Sequence, residues 1–345
     1  MYATSPHQIW AKPIDVTELT AAAFRLAQCT KLKHLAELLE IPKGDLKTLV
    51  KAPPQYKAFS IPKADGGKRL IEEPNESLKK IQQSLNWYLQ AYYHGIRPMS
   101  VYGGVATADN DLPVRNILSN ARRHLNRQWV LNMDLTDFYH QIPMQKIVEI
   151  LRGVVGMSDK TATSMAKLCC FKNRLPMGAP TSCILANFAC LELDKALQTI
   201  ADRHQLRYTR FIDDMTFSSN QEISVQILEK IQEAIEQCGF HVNQHKVWQK
   251  HLANSPEVTG LILLPGKVDV APHYISDLKK DIDLYRQMVK AGDRLKQVFH
   301  DRNLWHFRQH LQGKVNFIGF VRGKIDATFR QLRKRMVVTV ANVDI

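Results

Sequence analysis

Among the six cysteines of this 345-residue chain, Cys29, Cys169, Cys170, Cys183, Cys190 and Cys238, there is no C-x-x-C pair, and none interleaves with histidine at zinc-ligand spacing. A zinc ribbon and a dithiol redox centre are thereby excluded. With no base placed beside any thiol, cysteine nucleophilic catalysis has no support. The thiols are expected as reduced core residues. No apolar run is long enough to span a membrane, and Met1 to Trp10 lacks the basic start and apolar core of a signal peptide. No basic amphipathic helix bearing Trp or Phe stands out, which argues against a membrane-surface binder. A cytoplasmic protein is expected. Neither internal repeats nor low-complexity tracts occur, and a hydrophobic content of 45% supports ordinary globular packing, with two or three subdomains at this length.

Acidic residues are in deficit: 33 Asp and Glu stand against 47 Lys and Arg, for a formal net charge of +14. Such an excess favours a polyanionic partner, because each cation that meets a phosphate releases condensed counterions. The excess is uneven. Residues 277–335 hold 15 Lys or Arg against 6 Asp, which makes the C-terminal region the expected nucleic-acid grip.

Apolar spacing predicts short helices over 14–51, through Leu19, Ala22, Phe24 and Leu26 and then Leu35 to Val50, interrupted at Pro42-Lys43-Gly44-Asp45. After Pro53-Pro54, Tyr56 to Ile61 alternates as a strand, 62–68 reads as a turn, and Arg69 to Glu72 returns as the partner strand. This hairpin carries Lys63, Lys68 and Arg69, cations suited to folding over a triphosphate. An amphipathic helix runs from Leu78 towards Tyr93. Helical spacing also covers 144–170 and 184–201, and then Val225, Leu228, Ile231 and Ile235, ending at Gly239. Phe240 to Asn243 and Val258 to Leu263 read as strands. Further helices are expected from Tyr274 to Val289, over 292–312 and over 326–336.

Phe211-Ile212-Asp213-Asp214 lies between two apolar alternating runs, Leu206 to Ile212 and Met215 to Ser218, which puts adjacent carboxylates at a predicted hairpin tip. Such carboxylates repel each other unless a cation neutralises them. Asp134 closes the apolar run Trp129 to Met133 and can converge on the same place. Three carboxylates at strand ends suit two Mg²⁺ ions, hard cations that take oxygen ligands together with substrate phosphates. Phosphoryl transfer is the chemistry that this pattern predicts.

An Asp-Asp pair on an arbitrary chain is usually a solvated turn; here the surroundings decide otherwise. Asp134 is followed by Leu135-Thr136-Asp137-Phe138-Tyr139, and between the two acidic sites lies the loop Leu175-Pro176-Met177-Gly178-Ala179-Pro180-Thr181-Ser182. In order, these three blocks resemble motifs A, B and C of the reverse transcriptases. Further blocks resemble the bacterial retron enzymes: Ile61-Pro62-Lys63 with Gly66 to Ile71, Asn120-Ala121-x-x-His124, Leu185-Ala186-Asn187, and Val258-Thr259-Gly260. The resemblance runs over about residues 56–335.

That resemblance implies an α+β right-hand polymerase fold with fingers, palm and helical thumb. The N-terminal helical region would cover 1–55 and the fingers 56–128. The palm, an antiparallel sheet with helices, would cover 129–262 with a finger insertion at about 144–174, leaving a basic helical thumb over 263–345. It implies Asp134, Asp213 and Asp214 as ligands of two Mg²⁺ ions and Lys246 as the acid that protonates pyrophosphate. Lys68 and Arg69 would meet the triphosphate, with Asp137, Phe138, Met177 and Gly178 around the nucleotide and Tyr139 excluding a ribose 2′-OH. Asn120, His124, Val258, Thr259 and Gly260, with Arg330, Arg333 and Lys334, would contact RNA or template–primer.

The partners implied are dNTPs and a cognate structured noncoding RNA with its cDNA. Synthesis would start from a 2′-OH of that RNA and give a branched RNA-linked single-stranded DNA acting in antiphage defence. With the chain ending at Ile345, the effector is expected as a separate protein. Three positions depart from the family pattern: Met177 replaces the usual Gln, Cys183 a common Pro, and Phe211-Ile212 the frequent Tyr-Ala. No carboxylate is lost. Two other readings stay open. One is a different bacterial defence-associated or abortive-infection reverse transcriptase that uses another template or none; the other is an inactive nucleic-acid-binding scaffold.

Overall fold

A computed structural model describes residues 13–62, 66–291 and 304–337, which divide between His251 and Leu252 into two compact units. The first unit opens with α1 (Val16–Ala27), α2 (Leu32–Leu38) and α3 (Lys43–Lys51). Asp15 caps α1 by accepting from Thr17 N at 2.7 Å. Leu19, Ala22 and Leu26 form its buried stripe, whereas Phe24 is 65% exposed. At 3.6 residues per turn Phe24 falls on the opposite side. The break expected at Pro42-Lys43-Gly44-Asp45 falls between α2 and α3, with Pro42 at the N-cap of α3 and Lys43-Gly44-Asp45 already in its first turn.

The expected hairpin forms from β1 (Tyr56–Pro62) and β2 (Lys68–Pro74), with Pro62 opposite Lys68; Lys63 lies outside the described residues. Asn75 then caps the long α4 (Glu76–Ile96), and the short α5 (Ile117–Arg122) leads into β3 (Trp129–Asp134). The single helix expected over 144–170 is two, α6 (Met144–Gly153) and α7 (Asp159–Cys169). Gly156, at φ 84, turns the chain and Ser158 restarts it by accepting from Thr161 N. The 184–201 stretch likewise divides at Cys190 into α8 (Ser182–Ala189) and α9 (Leu191–Arg203).

β4 (Arg207–Phe211), β5 (Asp214–Ser219) and, after α10 (Val225–Gln237), β6 (Trp248–His251) join β3 in an antiparallel sheet of order β4-β5-β3-β6. The strand expected at 240–243 makes only an isolated bridge between Leu135 and Val242. Those residues pair just beyond the end of β3, while the ladder position on β3 is taken by β6, which the sequence pattern does not reveal. Leu131, Met133, Tyr208, Met215 and Phe217 alternate onto one buried face of the sheet. Arg210 shares that face and is fully buried. Its guanidinium donates to both oxygens of Asp194 on α9, at 2.8 and 2.7 Å, and Tyr208 OH donates to the same carboxylate at 2.8 Å.

In the second unit β7 (Glu257–Val258), β8 (Leu261–Leu264) and β9 (Lys267–Asp269) precede α11 (Pro272–Ala291), α12 (Leu304–Arg322) and α13 (Ala327–Met336). The continuous strand expected from Val258 to Leu263 is a hairpin. Thr259 and Gly260 both take left-handed backbone, φ 49 and 81, as a type I′ turn requires. Arg322 clamps Asp269 at 2.6 and 3.0 Å. Residues 292–303, part of a helix expected over 292–312, lie outside the described residues. All six cysteines are free thiols, and among the described residues no helix is long and apolar enough to cross a membrane.

Asp194→Asn leaves the Arg210 guanidinium buried without its counter-charge, which is expected to destabilise the protein by about 3–5 kcal/mol in chemical denaturation. An unfolding midpoint equal to wild type would show that this pair does not hold α9 to the sheet.

Candidate active site

Pairing of β3 with β5 sets Asp134 opposite Asp214, and pairing of β4 with β5 sets Phe211 opposite Asp214. The hairpin tip is therefore Ile212-Asp213, one residue earlier than the pattern suggests, and three carboxylates meet at one end of the sheet. Like charges directly opposite on a sheet destabilise it. The turn adds strain: Ile212 has φ 64, a left-handed conformation rare for a β-branched residue and costing on the order of 1–3 kcal/mol.

Neighbouring groups hold that turn in place. Arg210 Nη1 donates to Ile212 O at 2.8 Å and to Asn187 Oδ1 at 2.9 Å. Asn187 Nδ2 in turn donates to Gly103 O at 3.0 Å. A Cβ on Gly103 would lie 2.7 Å from Ile212 N, so only glycine lets this loop back the turn so closely. From the other side, Leu135 N donates to Asp213 O at 3.2 Å.

Burial, and then the charge of Asp134, push Asp213 above the ordinary carboxylate range. Burial pushes Asp214 up to about 6; a hydrogen bond from Asn132 Nδ2 opposes the shift, and the neighbouring aspartates add to it. Lys246 Nζ donates to Asp134 Oδ2 at 2.9 Å. Burial works to lower the Lys246 pKa, yet its bond to Asp134 and the three aspartate charges raise it overall. The charge of Arg69 on β2 also reaches Asp213 and Tyr139. An oxygen-only, negative donor set at strand ends fits a hard divalent cation. Among the described residues no three His, Cys, Asp or Glu groups are already disposed as a ligand set. Lys246 engages Oδ2 of Asp134 and Asn132 engages Oδ1 of Asp214.

Beside the carboxylates, a 3₁₀ turn over Phe138–Gln141 presents Tyr139 next to the Cys183 thiol. Phe138 is buried against Phe240 and Tyr139, while Asp137 is exposed at φ 42. Phe138 thus packs against Tyr139 from within the core. The Met177-Gly178 loop docks on β2: Met177 O accepts from Glu72 N at 2.7 Å. A Cβ on Gly178, at φ 124, would lie 2.9 Å from Ile71 Cγ2. Lys68 and Arg69 are exposed on the same strand.

The RNA contacts expected of Asn120 and His124 are corrected, because both side chains are buried, at 1% and 0% exposure. His124 Nδ1 lies 2.7 Å from Ser218 Oγ and Nε2 2.8 Å from Thr209 Oγ1. Burial, followed by the charges of Arg207, Arg123 and Arg127, lowers its pKa to about 3 and keeps the ring neutral. It satisfies two hydroxyls on the polar face of the sheet, which would otherwise be buried without partners. Val258 is equally buried, so the motif presents only its Thr259-Gly260 turn outward. In the second unit, Arg330, Arg333 and Lys334 are exposed on α13, away from buried Phe329, Leu332 and Met336. Sequence reasoning missed Asn132, Arg210 and Glu72. Their one signal is polarity at inward-facing strand positions.

Three carboxylates at the end of an antiparallel palm sheet define a right-hand polymerase. Residues 61–318 match the family described as reverse transcriptase (RNA-dependent DNA polymerase), and the chain belongs to that family. Its similarity within it is to the retron type. It is 28% identical over 237 residues to the Retron Ec86 reverse transcriptase of Escherichia coli, covering 66% of this chain and 69% of that protein. It is 29% identical over 281 residues to the Retron Mx162 reverse transcriptase of Myxococcus xanthus, covering 71% of this chain and 56% of that one. Among solved structures, a Candida albicans telomerase in complex with a telomeric RNA fragment covers 84% of this chain and 64% of its own. At 10% identity and a TM-score of 0.45, that likeness adds nothing to the assignment.

A carboxylate whose folded pKa lies above its unfolded value destabilises the fold once ionised, and the penalty is relieved as pH falls through the folded value, about 6 for Asp214. Asp214→Asn is therefore expected to raise the thermal midpoint in EDTA at pH 8 and to change it little at pH 4. A lower midpoint at pH 8 would contradict this electrostatic account.

Proposed function

We propose that this protein is a retron reverse transcriptase. It copies part of a cognate structured noncoding RNA into DNA, starting from a 2′-OH of a guanosine in that RNA. The product is a branched RNA joined to single-stranded DNA, acting in antiphage defence with a separately encoded effector. The reading rests on one observation above all: Asp134, Asp213, Asp214 and Lys246 gather at one end of the sheet, in a chain whose relatives are retron enzymes.

Two Mg²⁺ ions held by the three aspartates would activate the attacking hydroxyl and stabilise the departing pyrophosphate. Lys246 stays protonated beside Asp134 and can carry a proton from Nζ to the pyrophosphate oxygen. Lys68 and Arg69 offer exposed cations to the triphosphate, the guanidinium being suited to two oxygens at once. Tyr139, packed against Phe138, would supply the bulk that excludes a ribose 2′-OH. Met177 lacks a side-chain donor, but the loop is tied through its carbonyl, so docking survives the departure from Gln. Arg330, Arg333 and Lys334 supply phosphate contacts that position without reading sequence, and an RNA helix is recognised by shape and 2′-OH groups.

Sequencing of RNA and DNA copurified with the protein expressed from its native locus, with and without debranching enzyme, tests the reading. A discrete cDNA whose 5′ end is released by debranching is expected. DNA without a branch would move the protein to another class of defence polymerase. Asp213→Ala with Asp214→Ala is expected to abolish synthesis and spare RNA binding; surviving synthesis would refute the site. Tyr139→Ala is expected to lower the preference for dNTPs over NTPs by about tenfold or more in single-nucleotide incorporation, since it removes the steric exclusion.

A further inference from the structure

Glu72 carries a charge at 0% exposure, and nothing in the chemistry above uses it. Burying an ionised carboxylate is costly unless it is paired and hydrogen-bonded. Here Arg174 donates from Nη1 and Nη2 to the two oxygens at 2.8 and 3.0 Å, in the fork geometry that arginine favours. His140 Nε2 lies 3.4 Å from Oε2, and exposed Lys172 lies 3.9 Å from Oε1. The backbone of Glu72 makes a further tie, donating to Met177 O at 2.7 Å.

Glu72 and two of these partners belong to segments that bear residues of the nucleotide site. Glu72 follows Arg69 by three residues on β2, Met177 opens the loop that contains Gly178, and His140 directly follows Tyr139. Gly178 shows how tightly these segments meet, since any Cβ there would lie 3.1 Å from Glu72 O. We propose that Glu72 is a positioning residue for the incoming nucleotide: held by Arg174 and Met177, it sets the gap between the phosphate-binding strand and the Tyr139 gate. This rests on the polymerase reading. Reacting groups misplaced by about 1 Å can lose on the order of a hundredfold in rate, so a fixed gap has catalytic value.

The test is steady-state extension by the full chain on poly(rA)–oligo(dT), with dTTP and UTP as competing substrates. Glu72→Gln combined with Arg174→Met removes both charges at similar volume and leaves no buried charge unpaired, so folding is expected to survive. The expected result is a KM for dTTP raised about tenfold, a smaller fall in kcat and a reduced preference for dTTP over UTP. Affinity for the template–primer duplex should be unchanged. Arg174→Lys, which keeps the charge and loses the fork, should fall between wild type and the double variant. Wild-type KM and selectivity in both variants would overturn the proposal, whether or not the thermal midpoint falls. A wild-type protein that extends no primer would instead overturn the polymerase reading, and this proposal with it.

Discussion

Asp134 and Asp214 stand directly opposite each other on neighbouring strands, with Asp213 one residue away and partial burial raising the cost of ionising Asp213 and Asp214. Elsewhere in a sheet such a pairing would be removed, because like charges in register oppose folding. Here the repulsion makes the end of the sheet a place where a protonated lysine is retained. Lys246 and Asn132 already show the demand, each donating to one of the carboxylates.

A site under that repulsion must be held by its surroundings, and two buried ion pairs brace it from different sides. Behind the β4–β5 turn, the Asp194–Arg210 pair carries the guanidinium to Ile212 O and to Asn187, and Gly103 closes against the turn where a side chain would collide. On the fingers side, Glu72 and Arg174 fasten β2 against the Met177-Gly178 loop. The first pair joins the consecutive elements α9 and β4 and the second joins segments far apart in the chain, and each would leave an uncompensated buried charge if broken. The strain at Ile212 persists because these contacts over-determine it.

Local signals were legible where one element is set by its own residues. Asp-rich ends of alternating runs, glycine after a helix and the Gly/Pro loop between the acidic blocks placed β3, β4, β5, the β1–β2 hairpin and the three aspartates. The reading failed where a partner decides. Phe240 to Asn243 alternates like a strand, but the neighbouring ladder position belongs to β6. His124, in a motif associated by resemblance with RNA, is claimed by the hydroxyls of Ser218 and Thr209. Gly156 and the Thr259-Gly260 turn each divided one expected element into two, through backbone conformations that apolar periodicity does not register.

By itself the amino-acid order determined the class of chemistry, since carboxylate identity and strand-end spacing follow from residues close in the chain. The net positive charge and the candidate triphosphate cations were set in the same way. Tertiary structure alone decided which carboxylates face each other, which histidine is buried and neutral, and which acid pairs with which arginine. Those outcomes depend on register and on contacts between segments up to about a hundred residues apart, such as Glu72 with Arg174. In that setting desolvation, not local propensity, selects the partner.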